Sequence, residues 1–294
     1  MSEIKTMMVA GANGFMGRYI SRYFLEKGWR VFGLARRPNG LANGVEFIKW
    51  DGETLEISWT ELLEGVDVLI NLAGRTVDCR YNDENKRQIL DSRVNSTKVL
   101  GDALAVCVSP PSVWMNASTA TIYAATREKA QTESEGLIGD GFSVEIAKTW
   151  EAAFNAAVVD ESVRKITLRT TLVMGDEKGT VLDVLSGLAR KYLGGKMGDG
   201  SQMVSWIDIN DVCRVVEWMI ANETASGAYN LAAPEALTNA EMMKRIRERA
   251  GVRFGLPASE WMLEVGAFFM RTETEPVSAT HLTLPTQRVE YTAR

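Results

Sequence analysis

The chain predicts an α/β protein built on a doubly wound parallel sheet, and three observations carry that reading. Strand and helix patterns alternate over roughly the first 170 residues. Residues 66–72 are an almost unbroken apolar run, as in a strand buried on both faces of a parallel sheet. A first strand, 7–10, leads into Gly11-Ala12-Asn13-Gly14-Phe15-Met16-Gly17, and a helical repeat follows at once.

Taken in order, the glycine spacing G-x-x-G-x-x-G has a physical logic. Gly11 permits a tight turn, Gly14 lets backbone approach a pyrophosphate, and Gly17 lets the helix pack on the strand. The helix N-terminus then turns its N–H groups and dipole toward the phosphates. Met16, Ile20 and Phe24 recur at helical spacing, and Gly28 stops that helix before a second strand at 31–35. A third strand is expected at 45–50 and a fourth at 66–72, followed by a long helix at 84–105 with Ile89, Val99, Leu100 and Leu104 among its apolar positions. Pro110-Pro111 introduces a fifth strand at 112–117; a helix at 143–158 and a sixth strand at 165–169 complete the alternation. Ligands of such a sheet bind at the carboxyl ends of its strands.

Beyond the sixth strand the pattern is less regular, with helices expected at 180–192, 211–221, 239–250 and 259–269. The loop 194–200, Gly-Gly-Lys-Met-Gly-Asp-Gly, lacks the Lys-Ser/Thr of a P-loop, which favours a flexible lid or turn over a second phosphate site. Residues 276–294 show no clear period.

Composition bounds the function. A net charge of -5 and the absence of a Lys/Arg run argue against a nucleic-acid partner. Cys79, Cys107 and Cys213 are scattered, with no C-x-x-C pair, so neither disulfides nor a metal site is expected. No apolar run approaches the roughly 18 residues that span a bilayer, and the first strand begins too early for a signal peptide, so the expected location is cytoplasmic.

The end of the second strand addresses the cofactor. An NAD-specific site places a carboxylate there for the ribose 2′-hydroxyl, whereas this chain reads Leu34-Ala35-Arg36-Arg37. Two guanidinium groups suit a 2′-phosphate, each able to bond two oxygens at once; otherwise they are a solvated surface pair. The expected cofactor is NADP(H). Its site takes in Asn13, Phe15 and Met16 of the turn, Asp51 after the third strand, and Leu72, Ala73 and Gly74, where a small Ala-Gly exit allows close backbone approach.

The glycine turn, Asn71-Leu72-Ala73-Gly74 and 117–123 (Ala-Ser-Thr-Ala-Thr-Ile-Tyr) resemble the extended short-chain dehydrogenase/reductase superfamily. Further segments resemble its atypical branch of sugar-nucleotide epimerase-like proteins, sometimes labelled cell-division inhibitors: 91–97 (Asp-Ser-Arg-Val-Asn-Ser-Thr), 148–151 (Lys-Thr-Trp-Glu), Leu168-Arg169-Thr170, 205–208 (Ser-Trp-Ile-Asp), 229–234 (Tyr-Asn-Leu-Ala-Ala-Pro) and 254–257 (Phe-Gly-Leu-Pro). The resemblance runs from residue 5 to about 275 and implies a Rossmann-type domain, 1–172, completed by about 205–231. It also implies a smaller C-terminal α/β substrate domain of 173–204 and 232–294. The tail 276–294 departs from the family's closing strand and helix, which predicts poor order or different packing there.

The superfamily's usual proton relay is a Ser/Thr with Tyr-x-x-x-Lys, in which the lysine lowers the phenol's pKa. Thr119 matches the hydroxyl, but counting back from Glu151 places Ser143 and Ala147 at the other two positions. Tyr23 to Lys27 and Tyr192 to Lys196 have the spacing but the wrong location. Tyr123, four residues after Thr119, is either the proton donor or a packed aromatic with a satisfied hydroxyl. Arg75, Cys79, Arg80 and Tyr81 either meet an anionic substrate or form a polar surface loop. Trp206 and Asp208 are pocket residues or, respectively, core and helix start. The expected function is that of an NADP(H)-binding oxidoreductase or epimerase-like enzyme acting on a small polar substrate, a nucleotide-linked one among the options, with Thr119 and Tyr123 as its catalytic pair and a homodimer as its assembly. The alternative is a cofactor-binding sensor without turnover.

Overall fold

The structure, a computed structural model, describes residues 4–258 and a strand at Thr280–Leu282. The expected helix at 259–269, and the tail 276–294 apart from that strand, lie outside the described residues.

The first half alternates as expected: β1 (Thr6–Ala10), α1 (Phe15–Glu26), β2 (Arg30–Ala35), β3 (Glu46–Lys49), the short α2 (Ile57–Thr60), β4 (Val68–Asn71), α3 (Asp83–Val106) and β5 (Val113–Thr119). There follow β6 (Thr126–Gln131), α4 (Phe142–Ala156), β7 (Arg164–Thr170), β8 (Leu172–Met174), α5 (Val181–Arg190), β9 (Met203–Val204), β10 (Trp206–Asp208), α6 (Ile209–Ala221), β11 (Gly227–Leu231), β12 (Leu237–Thr238), α7 (Asn239–Arg249) and β13 (Thr280–Leu282).

Seven parallel strands form the central sheet in the order β11-β7-β5-β4-β1-β2-β3, a Rossmann-like topology. Alternation along each strand sends neighbours to opposite faces. Met7 and Val9 meet Ile20 and Phe24 of α1 and Val212 and Val216 of α6. Met8 and Ala10 belong to the other core, with Leu100 and Leu104 of α3 and Phe154 of α4. Trp114 of β5 stacks edge-on against Phe154, centroids 4.6 Å apart. The strand order reverses at the β1–β4 boundary, which opens the crevice where a doubly wound sheet binds its ligand.

A smaller α/β part follows. β8 pairs parallel with β10, β9 antiparallel with β12. Met174, Ala189, Leu237, Met242, Met243 and Ile246 form its core between α5 and α7. A reciprocal capping box between Thr238 and Glu241 starts α7.

β11 has no counterpart among the expected strands. Gly227-Ala228 open it without an apolar run, and pairing with β7 decides its conformation rather than propensity. The glycine loop 194–200 is a strapped turn. Gly195 N and Gly198 N donate to the carbonyls of Leu256 and Ala258 at 3.0 and 2.9 Å, and Arg247 Nη1 donates to Gly194 O at 2.6 Å. Of the two forms expected for it, lid or turn, the structure has the turn.

Candidate functional site

The β1–α1 turn is shaped by what glycine lacks. Gly11 has φ +78°, and a Cβ there would lie 2.9 Å from the Leu72 carbonyl carbon; a Cβ on Gly17 would lie 2.4 Å from Gly11 O. Strand, turn and helix therefore close on one another to a distance that side chains forbid. Gly14 caps α1 without a side-chain hydrogen bond, and no acidic residue occupies the helix's first turn. The orphan N–H groups and positive dipole end are left to an anion from outside.

Across from the turn, Asn71 ends β4 and fixes the loop after it. Its Oδ1 accepts from Ala73 N at 3.0 Å, while Nδ2 donates to Asn116 Oδ1 at 2.8 Å and Thr97 Oγ1 at 3.1 Å. Trp150 Nε1 also donates to Thr97 Oγ1, at 2.9 Å, so α3, α4, β4 and β5 meet in one buried polar cluster beneath the cleft.

The cleft has a cavity of about 600 Å³. Of the residues expected from sequence, Gly11, Gly14, Phe15, Met16, Gly17, Leu72, Gly74, Arg75, Tyr81 and Thr119 line it. A second cavity of about 420 Å³ shares Gly11, Gly74 and Arg75 with the first and extends to Asn13, Ala73, Arg36 and Asp51. Asp51 closes its own turn. Its carboxylate accepts from Thr54 Oγ1 at 2.6 Å and from the backbone N–H groups of Glu53 and Thr54 at 2.8 Å, which hold its pKa below the usual carboxylate range.

Arg37, Cys79, Arg80, Tyr123, Trp206 and Asp208 line neither cavity. Arg37 is exposed, and its carbonyl accepts from Asn13 Nδ2 at 3.5 Å. Arg80 is exposed on the loop before α3, its carbonyl accepting from Asn85 Nδ2 at 2.7 Å. Trp206 packs against the smaller core and donates from Nε1 to Glu235 O at 3.1 Å. Asp208, weighed beside it, caps α6, accepting from Asn210 N at 2.8 Å.

Tyr123 lies away from the cleft lining. The 3-10 turn Ala120–Ile122 carries the chain away from the strand end and sends the phenol beneath the cleft floor, 1% exposed. Its hydroxyl donates to Asn230 Oδ1 at 2.9 Å and accepts from Arg169 Nη1 at 2.6 Å. Arg169 in turn forks onto Glu151 at 2.9 and 2.8 Å, and Ser118 Oγ donates to Glu151 Oε1 at 2.6 Å. Burial pushes the Tyr123 phenol up from its ordinary pKa, with Arg169 opposing. The phenol is packed, with its hydroxyl satisfied, and does not line the cleft.

Ser143 lines the cleft near Thr119, whereas Ala147 is fully buried against Ala120, Ile122 and Tyr123. Tyr23 and Lys27, at the first decoy spacing, both bond Glu217 of α6, at 2.6 and 2.7 Å. Ile146, Trp150 and Arg93 line the cleft without having been singled out. Arg93 had a signal: it lies four residues after Ile89 and seven before Leu100, a charge in the buried stripe of α3.

The geometry passes the test for a dinucleotide. A glycine cradle and an uncapped helix N-terminus stand at the middle, Arg36 at one end, and the hydroxyls of Thr119 and Ser143 at the other. Among the described residues no helix is long and apolar enough to cross a membrane, and no cluster of His, Cys, Asp and Glu could hold a metal.

Known proteins agree with the architecture. The chain is 31% identical over 241 residues to an epimerase family protein of Mycobacterium leprae, covering 82% of this chain and 76% of the relative. It is 30% identical over 261 residues to the mouse epimerase family protein SDR39U1, covering 86% and 82%. The crystal structure of the human epimerase family protein SDR39U1 with NADPH is similar at a TM-score of 0.78 and 25% identity, over 88% of this chain and 85% of that one. The model of the NAD dependent epimerase/dehydratase family matches residues 7–232, and the chain belongs to that family.

Proposed function

We propose that the chain binds NADP(H) and acts as an oxidoreductase or epimerase-like enzyme on a small polar substrate, with a proton relay other than Tyr-x-x-x-Lys. The observation that carries this reading is that the two cavities, one with Arg36 and the other with Thr119 and Ser143, share Gly11, Gly74 and Arg75 at the glycine turn. The human relative's crystal form with NADPH supports the choice of cofactor. Bound there, the nicotinamide would supply or accept hydride at a substrate carbon. The chain's own work is to hold the substrate oxygen and exchange its proton. Thr119 and Ser143 offer hydroxyls to orient that oxygen, and Tyr81 carries the one phenol among the described residues lining the main cleft. Its ring packs edge-on against Phe142, centroids 5.1 Å apart, which places it beside Ser143 at the start of α4. Tyr81 therefore takes the proton-transfer role in this reading.

Calorimetric titration with NADPH and NADH tests the cofactor assignment. Charge-assisted hydrogen bonds contribute on the order of 1.5–3 kcal/mol each, so wild type should prefer NADPH and an Arg36→Ala/Arg37→Ala double variant should lose most of that preference. Arg36→Ala alone should account for the larger part, because Arg36 lines the cavity and Arg37 does not. Equal affinity of the wild type for both cofactors would overturn the assignment. The Ser143/Ala147 pair favours a second reading, an NADP(H) sensor. Tight NADPH binding with no oxidation across a panel of carbonyl compounds and nucleotide sugars would establish it.

A further inference from the structure

Arg93 is a charge in an expensive place. It lies on the face of α3 that also carries Ile89, Thr97 and Leu100, which pack against the sheet. Its Nη1 donates to the carbonyls of Ile89 and Arg75 at 2.9 and 3.0 Å, and the guanidinium lies 5.2 Å over the Trp150 ring. These contacts orient the fork without neutralising it. Among the described residues no carboxylate pairs with it, and burial pulls its pKa down to about 10. A half-buried charge with no carboxylate partner is incompletely compensated until something of opposite sign meets it.

The loop after β4 is fitted around this group. A Cβ on Gly74 would lie 3.2 Å from Arg93 Cζ and 3.4 Å from Nη1, so the absent side chain makes room for the guanidinium. Arg75, next in the loop, turns its own guanidinium onto Gln88 and Asn85, two neutral amides that hold it in place, and its charge is shared with the Glu84 carboxylate, which lines the second cavity beside it. Both arginines line the main cleft, and no aspartate or glutamate does. The cofactor's phosphates have their own cradle at Gly11 and the α1 N-terminus. The arginine pair comes from other elements, α3 and the β4 loop, and lines the same cavity as Tyr81 and Ser143.

We propose that Arg93 and Arg75 form an anion subsite that holds a carboxylate or phosphate group of the substrate beside Thr119 and Ser143. The substrate is then an anionic compound. A guanidinium fork bonds two anionic oxygens at once, so it orients as well as attracts. This inference rests on the reading of the cleft as an NADP(H) site with room for a second ligand.

The test uses the full chain saturated with NADPH, titrated by calorimetry with malonate, inorganic phosphate and, as a neutral control, glycerol. Wild type should bind at least one of the two anions and not glycerol. Arg93→Gln should weaken that binding about 10- to 100-fold and change NADPH affinity by less than about threefold. Arg93→Lys, which keeps the charge and loses the fork, should fall between. Retained NADPH affinity also shows that the variants fold. Three outcomes overturn the proposal: no anion binding by the wild type, unchanged anion binding by Arg93→Gln, or an equal loss of NADPH and anion affinity, which would make Arg93 a cofactor ligand. Failure of the cofactor reading shows separately, as wild type that takes up no NADPH. The same malonate titration of that cofactor-free protein would still decide the subsite.

Discussion

In the proposed reading Tyr123 and Tyr81 exchange the roles that their positions in the chain suggest. Tyr123 follows a motif strand and is buried in a network with Asn230, Arg169 and Glu151; Tyr81 lies in an unremarkable loop and lines the cleft. Their phenylalanine variants should therefore separate stability from chemistry. Tyr123→Phe removes the acceptor of a buried arginine and the donor to Asn230, and should cost about 1–3 kcal/mol of stability while leaving NADPH affinity and turnover nearly unchanged. Tyr81→Phe should leave thermal stability alone and lower kcat on a carbonyl substrate by about 10²–10⁴. Thermal melts and steady-state rates of the two variants check both halves, and a Tyr123→Phe protein with wild-type stability but lost turnover would reverse the assignment. The residue scale is where sequence reasoning was weakest. The close approaches at Gly11 and Gly17 and the place of Arg36 in the second cavity were legible because they depend on local backbone or on a fixed distance along one strand. The environment of Tyr123 depends on a partner 107 residues away in β11, and no local pattern encodes that contact.

At the scale of elements, periodicity was a good guide. α1, α3, α4, β1, β4 and β5 occur where the apolar spacing puts them, with ends shifted by one or two residues, and helix ends fray by that much in any case. The elements outside those expectations, α2, β6, β8, β9, β10, β11 and β12 among the described residues, are mostly two to five residues long, too short to carry a period of their own. How elements dock is a separate question, and the α1–α6 contact permits a direct test. Burial pushes the Glu217 carboxyl up, but Lys27 and Tyr23 overcome it and hold the pKa below the ordinary 4.5. A carboxyl depressed in the fold contributes stability above its unfolded pKa, and that contribution is lost as pH falls through the folded value. Glu217→Gln should thus be less stable than wild type near neutrality and converge on it as pH falls through the depressed folded value. With Glu217 and Lys27 both 41% exposed, solvent screening keeps the difference under about 1 kcal/mol. Urea denaturation of both proteins between neutral and acid pH measures it, and a constant difference across the range would show that Glu217 acts through packing.

At the scale of the molecule, the smaller part is not a passive neighbour of the cofactor crevice. The segment after β8 touches the glycine helix directly. A Cβ on Gly175 would lie 2.4 Å from Phe15 Cζ and 3.0 Å from Ile209 Cγ2, Glu177 pairs with Arg18, and Arg249 of α7 reaches Asp176 at 2.6 Å. Phe15 is the first residue of α1 and lines the main cleft, so the position of this segment is transmitted to the helix N-terminus that would face the pyrophosphate. Gly175→Ala adds one methyl group outside the cofactor cavity. To relieve the overlap, Phe15 must swing or α1 must shift, and overpacking of this kind costs about 1–3 kcal/mol. The variant should weaken NADPH binding by about tenfold or more, with enthalpy of binding reduced, and the added substitution Phe15→Leu should restore part of the affinity by removing the ring. Calorimetry on wild type, the single variant and the double variant decides the point. Undiminished affinity in Gly175→Ala would mean that the two parts of the molecule adjust to each other without moving the cradle.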